Sequence, residues 1–463
     1  MPRIIAFDAW CDPERVFTEV FGSESHSFWL DGGRDAESGR SWMGAPSTPD
    51  GVSIFAPGDD VFAFLRSGLR AAASLSGEVR SEVRAAVPHP SALDGRPLGW
   101  VGWIGYEVGV QTTGVELPES AHPDAAFQFI DRAIEFDHGA RVVRVIALES
   151  AADRPDFAAW VEHVRRIVAG TTADGSRPVQ HSAGGRSTAS WRHGPAAYER
   201  LIEHCQQAIR RGDAYQLCLT NTITVEGRFD PLETYSRLRA ASPTHHGGLL
   251  RFGDLALLSS SPEQFLQVSG SGGIVTKPIK GTRPRGHSLV EDIDLRAELE
   301  ASDKEQAENL MIVDLMRNDL GRIAALGSVR VTSLLAVESY AQVHQLVSTV
   351  EAELEAGLTG IDAVEACFPA GSMTGAPKIS AMRILAGLEG GPRGIYSGAF
   401  GYVGVDGSID LAMVIRSIVL TPDAATVGSG GGITALSVPS EEVEETRVKA
   451  RALLAVLGVD SVR

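Results

Sequence analysis

Cysteine is scarce and unpaired in this sequence. The four residues, Cys11, Cys205, Cys218 and Cys367, form no CxxC pair and share no ligand spacing with histidine. That excludes a disulfide-stapled scaffold and a zinc knuckle, and predicts reduced, buried thiols in a cytoplasmic protein. Long apolar runs are missing too. None approaches the roughly 18 residues needed to span a bilayer, and Asp8, Asp12 and Glu14 interrupt the first apolar stretch, so neither a membrane span nor a secretory signal is expected. Basic charge is the third deficit: 42 Lys and Arg face 59 Asp and Glu, a net charge of -17. Neutralising phosphates needs a basic face, which argues against nucleic acid and against an anionic membrane surface as partners. An anionic small molecule stays open, because a few local arginines override the global charge.

What the chain does have is ample apolar material, 43% of residues, in an ordinary globular balance. The composition shifts to Gly, Ser, Thr and Pro at "AGTTADGSRPVQHSAGGRSTAS", residues 169 to 190, the best linker candidate. It separates an N-terminal region, 1–170, from a catalytic region, 190–463. In the first, "PLGWVGWIGYEVG" and "ARVVRVIALE" read as buried strands and "DFAAWVEHVRRIVAG" as an amphipathic helix. The second opens with a helix in which Tyr198, Leu201, Ile202, Cys205, Ala208 and Ile209 recur at helical spacing and which Gly212 ends. "AYQLCLTNTITVEG" follows as a strand. Helices and strands then mix without βα alternation, which predicts an α+β fold with antiparallel sheets.

Several segments carry chemistry. Glu305 and Glu308 lie three apart on a helical segment, so both carboxylates share a face, and Glu442 and Glu445 repeat the spacing on the last helix. Ser302 to Glu305 also fits a capping box. Solvated helical carboxylates are common, but two such pairs on different helices together suit a hard, oxygen-rich site for Mg²⁺. "VGSGGGITA", residues 427 to 435, reads either as a flexible turn or as bare backbone approaching an anion; without a following GK[ST] it is no P-loop. "FPAGSMTGAPKISAMRIL" runs a glycine loop into a helix start, a place that favours a carboxylate. Arg416, within the apolar run "LAMVIRSIVL", reads as an arginine in a buried strand that needs a carboxylate partner. In "TKPIKGTRPRG", Lys280 stands between Pro278 and Gly281, which predicts a turn. It is either a solvated surface lysine or an amine nucleophile, and the second use needs a depressed pKa.

Taken in order, "PIKGTRPRG", "AENLMIVDLMRNDLGRI", "FPAGSMTGAPK", "RGIYSGAFGYVG" and "GSGGGIT" resemble the chorismate-utilising enzymes, which comprise anthranilate, aminodeoxychorismate, isochorismate and salicylate synthases. The likeness is strong over 190 to 455 and looser before 170, where "GWVGWIGYE" carries it. It implies two packed antiparallel β-sheets with helices outside and an Mg²⁺-dependent chorismate site. Carried onto matching positions, it makes Glu305, Glu308, Glu442 and Glu445 the Mg²⁺ shell. Tyr396, Arg416 and the amides of Gly430, Gly431 and Gly432 would hold substrate carboxylates, with Ser372 nearby. Glu263, in "SSSPEQF", matches the general acid for the departing C4 hydroxyl.

The branch within the family turns on the nucleophile. Where water-adding members carry a lysine, this chain has Gln216, and a neutral amide is no base. Members that form anthranilate carry "PIAGT"; "PIKGT" resembles the aminodeoxychorismate-forming members, which implies Lys280 as a nucleophile toward C2 of chorismate and ammonia as the final one. The alternative is an anthranilate-forming component I, releasing pyruvate. Gln345 stands where relatives have a histidine tied to that pyruvate loss, with His344 one residue earlier as a structural residue. "FWLDGG" lacks the serine-containing motif of tryptophan-binding relatives, so no strong tryptophan effector site is expected. No cysteine occupies a G-x-C-x-G elbow, which implies a separate glutamine amidotransferase subunit, component II, as the source of ammonia.

Overall fold

The computed structural model describes residues 2–75, 95–170, 188–340 and 343–459. The linker candidate at 169 to 190 lies almost wholly outside the described residues. Among those described, strands form a twelve-stranded and a ten-stranded sheet, and every strand pairing is antiparallel. The expected α+β fold of two packed sheets with helices outside is what forms.

Alternation of side chains along each strand builds three layers of core. In the strand His26–Asp31, Phe28 points between the sheets and Trp29 points outward. Leu250 and Leu249 divide in the same way, as do Leu257 and Leu258. The inner layer joins Phe28, Leu250 and Leu257 of the larger sheet to Trp103, Phe400 and Tyr402 of the smaller. Outside the larger sheet, the helices Pro13–Phe21, Phe157–Ala169 and Pro439–Val456 bury their apolar stripes. Outside the smaller, Asp303–Leu320 and Gly360–Cys367 do so.

Both sheets are continuous across the two parts of the chain. His26–Asp31 pairs with His246–Phe252, and Gly99–Ile104 pairs with Ala399–Gly404. Above the first seam, buried Asp31 forms an ion pair with Arg239 of the helix Pro231–Ala241 and accepts a hydrogen bond from the Tyr235 hydroxyl at 3.2 Å. The Arg239 guanidinium also lies 4.8 Å over the Trp29 ring.

Two strands change sheet side by side, and this sets up the site. The chain leaves the larger sheet after Leu255–Ser261 and enters the smaller at Gln264–Val268; it returns from Ile409–Met413 in the smaller to Ser417–Leu420 in the larger. Glu263 and Arg416 sit in these two crossovers. They are tied by hydrogen bonds from the Met413 amide to the Glu263 carbonyl at 3.0 Å and from the Ser260 amide to the Arg416 carbonyl at 3.1 Å. Arg416 is therefore not in a strand as its apolar surroundings predict. Its φ of 51° lies in the left-handed region, the bend by which the chain passes between sheets.

Removing one partner of a buried pair leaves the other charge uncompensated. Asp31→Ala is expected to cost about 3 kcal/mol, read as a lowered urea midpoint; an unchanged midpoint would show that the seam holds without the pair.

Candidate active site

Lys280 lies on the strand Ile279–Pro284, an edge strand of the smaller sheet. The predicted turn is instead a strand bracketed by Pro278 and Pro284, which an edge tolerates because no outer neighbour needs their missing N–H. Gly281 makes a bulge in it, with φ of 76° and a register shift between Lys280 and Thr282. A Cβ on Gly281 would come within 3.0 Å of Glu305 Cγ and Cδ, so the bare glycine lets the strand lie against the helix Asp303–Leu320. Ser302 caps that helix, its hydroxyl accepting from the Glu305 amide at 3.5 Å. Glu305 and Glu308 project from its first two turns toward the helix Pro439–Val456, which carries Glu442 and Glu445. The strand Ala424–Ile433 lies between, again through glycines: a Cβ on Gly431 would stand 3.2 Å from Glu442 Oε2 and 3.9 Å from Glu445 Oε1, and one on Gly432 would stand 3.6 Å from Glu308 Oε2.

All four glutamates are paired with a cation of the chain itself. Glu305 faces Arg283 at 3.8 Å, Glu308 faces Lys280 at 4.0 Å, Glu442 faces Lys304 at 3.4 Å and Glu445 faces Lys449 at 2.6 Å. Burial pushes the Glu308 carboxyl up, since its lysine is too distant to offset desolvation fully. Burial also opposes the charge of Glu445, but Lys449 outweighs it and holds that carboxyl below its usual value. Lys280 differs from the sequence expectation of a depressed pKa. Burial lowers it, but the surrounding groups, Glu308 first and then Cys218, Glu263 and Glu445, outweigh burial and hold the ammonium charged. Glu263, 8% exposed, is pushed up to about 6 by burial, against the pull of Lys280 and a hydrogen bond with Ser372.

The donors fit a hard divalent cation in kind, four carboxylates from two facing helices. They are not drawn into a cage: among the described residues no three His, Cys, Asp or Glu side chains are gathered closely enough to hold an ion. Each carboxylate instead leans toward its own lysine or arginine.

Beside this acidic face lies one formed by Arg416, Tyr396 and the glycine strand. The Arg416 guanidinium makes a 3.4 Å hydrogen bond to the Lys449 carbonyl and has no carboxylate within 4.0 Å among the described residues. Burial lowers its pKa, with Tyr396 and Glu445 as the nearest opposing groups. The Tyr396 ring lies on Gly428, where a Cβ would collide with it at 2.0 Å. Gly430, Gly431 and Gly432 pair with Thr220, Leu219 and Cys218 on one side, whereas the strand on the other side covers only Ala425 to Val427. On that open side the Gly430 carbonyl accepts from the Lys449 ammonium at 2.9 Å. Ser372, from the short helix Gly371–Thr374, borders a narrow cavity with Glu263, Thr276 and Pro278. Behind it, buried Arg393 pairs with Glu389 and donates to the carbonyls of Met373 and Cys218, lashing the loop to the strand Gln216–Glu226. A larger concavity lined by Ala6, Asp8, Trp10 and Arg141 lies at the opposite edge of the larger sheet and contains none of these residues.

The structure thus brings Lys280, Glu263, Ser372, the four glutamates, Arg416, Tyr396 and the glycine strand to one region. Sequence reasoning missed Lys304 and Lys449. Lys449 was signalled by its i+4 spacing from Glu445, and Lys304 only by adjacency to Glu305. Gln216 is buried, its Oε1 without a partner among the described residues and its Nε2 beside Gly432. His344 is held by Ser339 at 2.8 Å and Asp292 at 3.0 Å, Asp292 in turn being gripped by Arg285.

Comparison with known proteins matches the chain to the chorismate binding enzyme family over residues 40–455. An aminodeoxychorismate synthase of Streptomyces pristinaespiralis is 41% identical over 96% of this chain and 64% of its own length, and one of Streptomyces griseus 41% identical over 96% and 63%. The chain therefore spans somewhat under two thirds of these relatives. Anthranilate synthase component 1 of Haloferax volcanii is 36% identical over 88% of this chain and 79% of its own. In structure, anthranilate synthase component I of Streptococcus pneumoniae superposes with a TM-score of 0.71 at 27% identity, over 98% of this chain and 92% of that one. The long family match and these relatives make the chain a member of the chorismate binding enzyme family.

Proposed function

We propose that the chain is the chorismate-aminating component of an aminodeoxychorismate synthase, converting chorismate and ammonia to 4-amino-4-deoxychorismate for 4-aminobenzoate and folate synthesis in the cytoplasm. The observation that carries this reading is Lys280, a buried amine beside a carboxyl raised to about 6, the pairing that nucleophilic displacement of a hydroxyl requires. The relatives at 41% identity bear the corresponding name. We assign the glutamine-hydrolysing activity that would supply ammonia to a separate amidotransferase subunit, because no cysteine of the sequence stands in a G-x-C-x-G elbow.

In the proposed reaction Arg416, Tyr396 and the open edge of Gly430 to Gly432 hold the carboxylates of chorismate. Glu263, protonated, gives its proton to the C4 hydroxyl, which leaves as water. The Lys280 amine bonds to C2 while the ring double bonds shift toward C4. Ammonia then bonds to C4, the double bonds shift back, the C2–N bond breaks to release the lysine with the enolpyruvyl group retained, and the proton lost by the C4 ammonium returns through the Glu263 carboxylate to Lys280. Glu305, Glu308, Glu442 and Glu445 would hold Mg²⁺, which supplies Lewis-acid stabilisation of oxygen charge. Lys280 is held as an ammonium by the acids around it, so in the proposed reaction its proton first passes to the Glu263 carboxylate, which then carries it to the C4 hydroxyl.

Two outcomes check these roles. Wild-type protein incubated with chorismate and Mg²⁺ but no ammonia should gain mass as a Lys280 adduct, while Lys280→Ala shows none and loses amination; full amination by the variant would remove Lys280 from the mechanism. For Glu263, the raised pKa means that deprotonation is disfavoured in the fold. Stability is therefore highest below its ordinary value of 4.5 and falls as pH rises through about 6. Glu263→Gln should raise stability at pH 7.5 by about 2 kcal/mol and lower kcat by roughly 100-fold or more, the gain vanishing near pH 4.5. A variant destabilised at pH 7.5 would contradict the raised pKa.

A further inference from the structure

We infer that Lys304 is a built-in counter-cation that stands in for the divalent metal between the two helices, and that it has to swing out for the metal to bind. This rests on the magnesium reading above. Glu442 is 3% exposed, and its carboxylate finds its cation in the Lys304 ammonium at 3.4 Å. Glu308 and Glu445 also lie close enough to act on the same ammonium electrostatically. Its place on the helix is otherwise unfavourable. It follows Asp303 in the first turn, where the helix dipole repels a cation, so the carboxylates opposite are what hold it.

The neighbouring lysines are differently placed. Lys280 is 16% exposed and belongs to the strand, and Lys449, 32% exposed, is fastened to both Glu445 and the Gly430 carbonyl at 2.9 Å. Lys304 is 50% exposed, with solvent on one side and acid on the other. It is the lysine that can leave without opening the core. Metal binding is then an exchange of one cation for another, which keeps the metal-free helices together and moderates metal affinity.

Lys304→Met removes the charge and keeps the apolar stem; Lys304→Arg keeps the charge. Titration calorimetry with Mg²⁺ should show the Met variant binding roughly threefold to tenfold more tightly, as loss of a competing, half-exposed ion pair implies. Its Tm in EDTA should fall and its Mg²⁺-induced rise in Tm should grow, with Lys304→Arg behaving as wild type. Unchanged or weaker Mg²⁺ affinity in the Met variant, with wild type binding normally, overturns the role of Lys304 alone. Absence of Mg²⁺ binding by wild type overturns both this and the metal reading.

Discussion

Balancing the charge of Glu305, Glu308, Glu442 and Glu445 is the constraint on which the rest of the site depends. Carboxylates converging from two helices repel one another and lose hydration, and a fold that gathers them has to provide cations. Here Arg283, Lys280, Lys304 and Lys449 do so. The compensation is local and comes from three places: the bulged edge strand, the first turn of Asp303–Leu320 and the last helix. Two of these cations stand out: Lys280 is held charged by the acids around it, and Lys304 stands half-exposed against buried Glu442.

Around this balance the backbone is arranged by close approach. Gly281, Gly431 and Gly432 stand where a methyl group would press on Glu305, Glu442 or Gln216. The paired crossovers bring Glu263 and Arg416 together between the sheets, a carboxyl raised by burial near a guanidinium that has no carboxylate partner among the described residues. Neither would hold its position on a free loop; the hydrogen bonds between the crossovers and the Arg393–Glu389 pair behind them supply rigidity. Site precision thus follows from the sheet topology rather than from the helices alone.

Local pattern made much of this legible in the sequence. The helix Pro195–Arg210, the strand Gln216–Glu226 and the Ser302 cap follow from spacing, β-branched residues and capping chemistry. The site residues came from ordered motifs, since spacing alone leaves a pair such as Glu442 and Glu445 indistinguishable from a solvated face. Three features needed coordinates. Arg416 looked like a strand residue because the apolar residues flanking it belong to two different sheets. Lys280 looked like a turn residue because prolines at an edge and a bulge glycine share the composition of a turn. Lys304 was missed because its ion-pair partner, Glu442, stands on another helix 138 residues away. All three depend on long-range pairing, which periodicity does not encode.

The central claim is that this site exchanges the C4 hydroxyl of chorismate for an amino group and stops there. Mass spectrometry of the product formed by the chain with chorismate, Mg²⁺ and ammonium tests it directly. The account predicts a non-aromatic product that retains the enolpyruvyl ether and carries nitrogen at C4. A fluorescent aromatic amine with free pyruvate, or a hydroxyl-bearing isomer of chorismate, would contradict it.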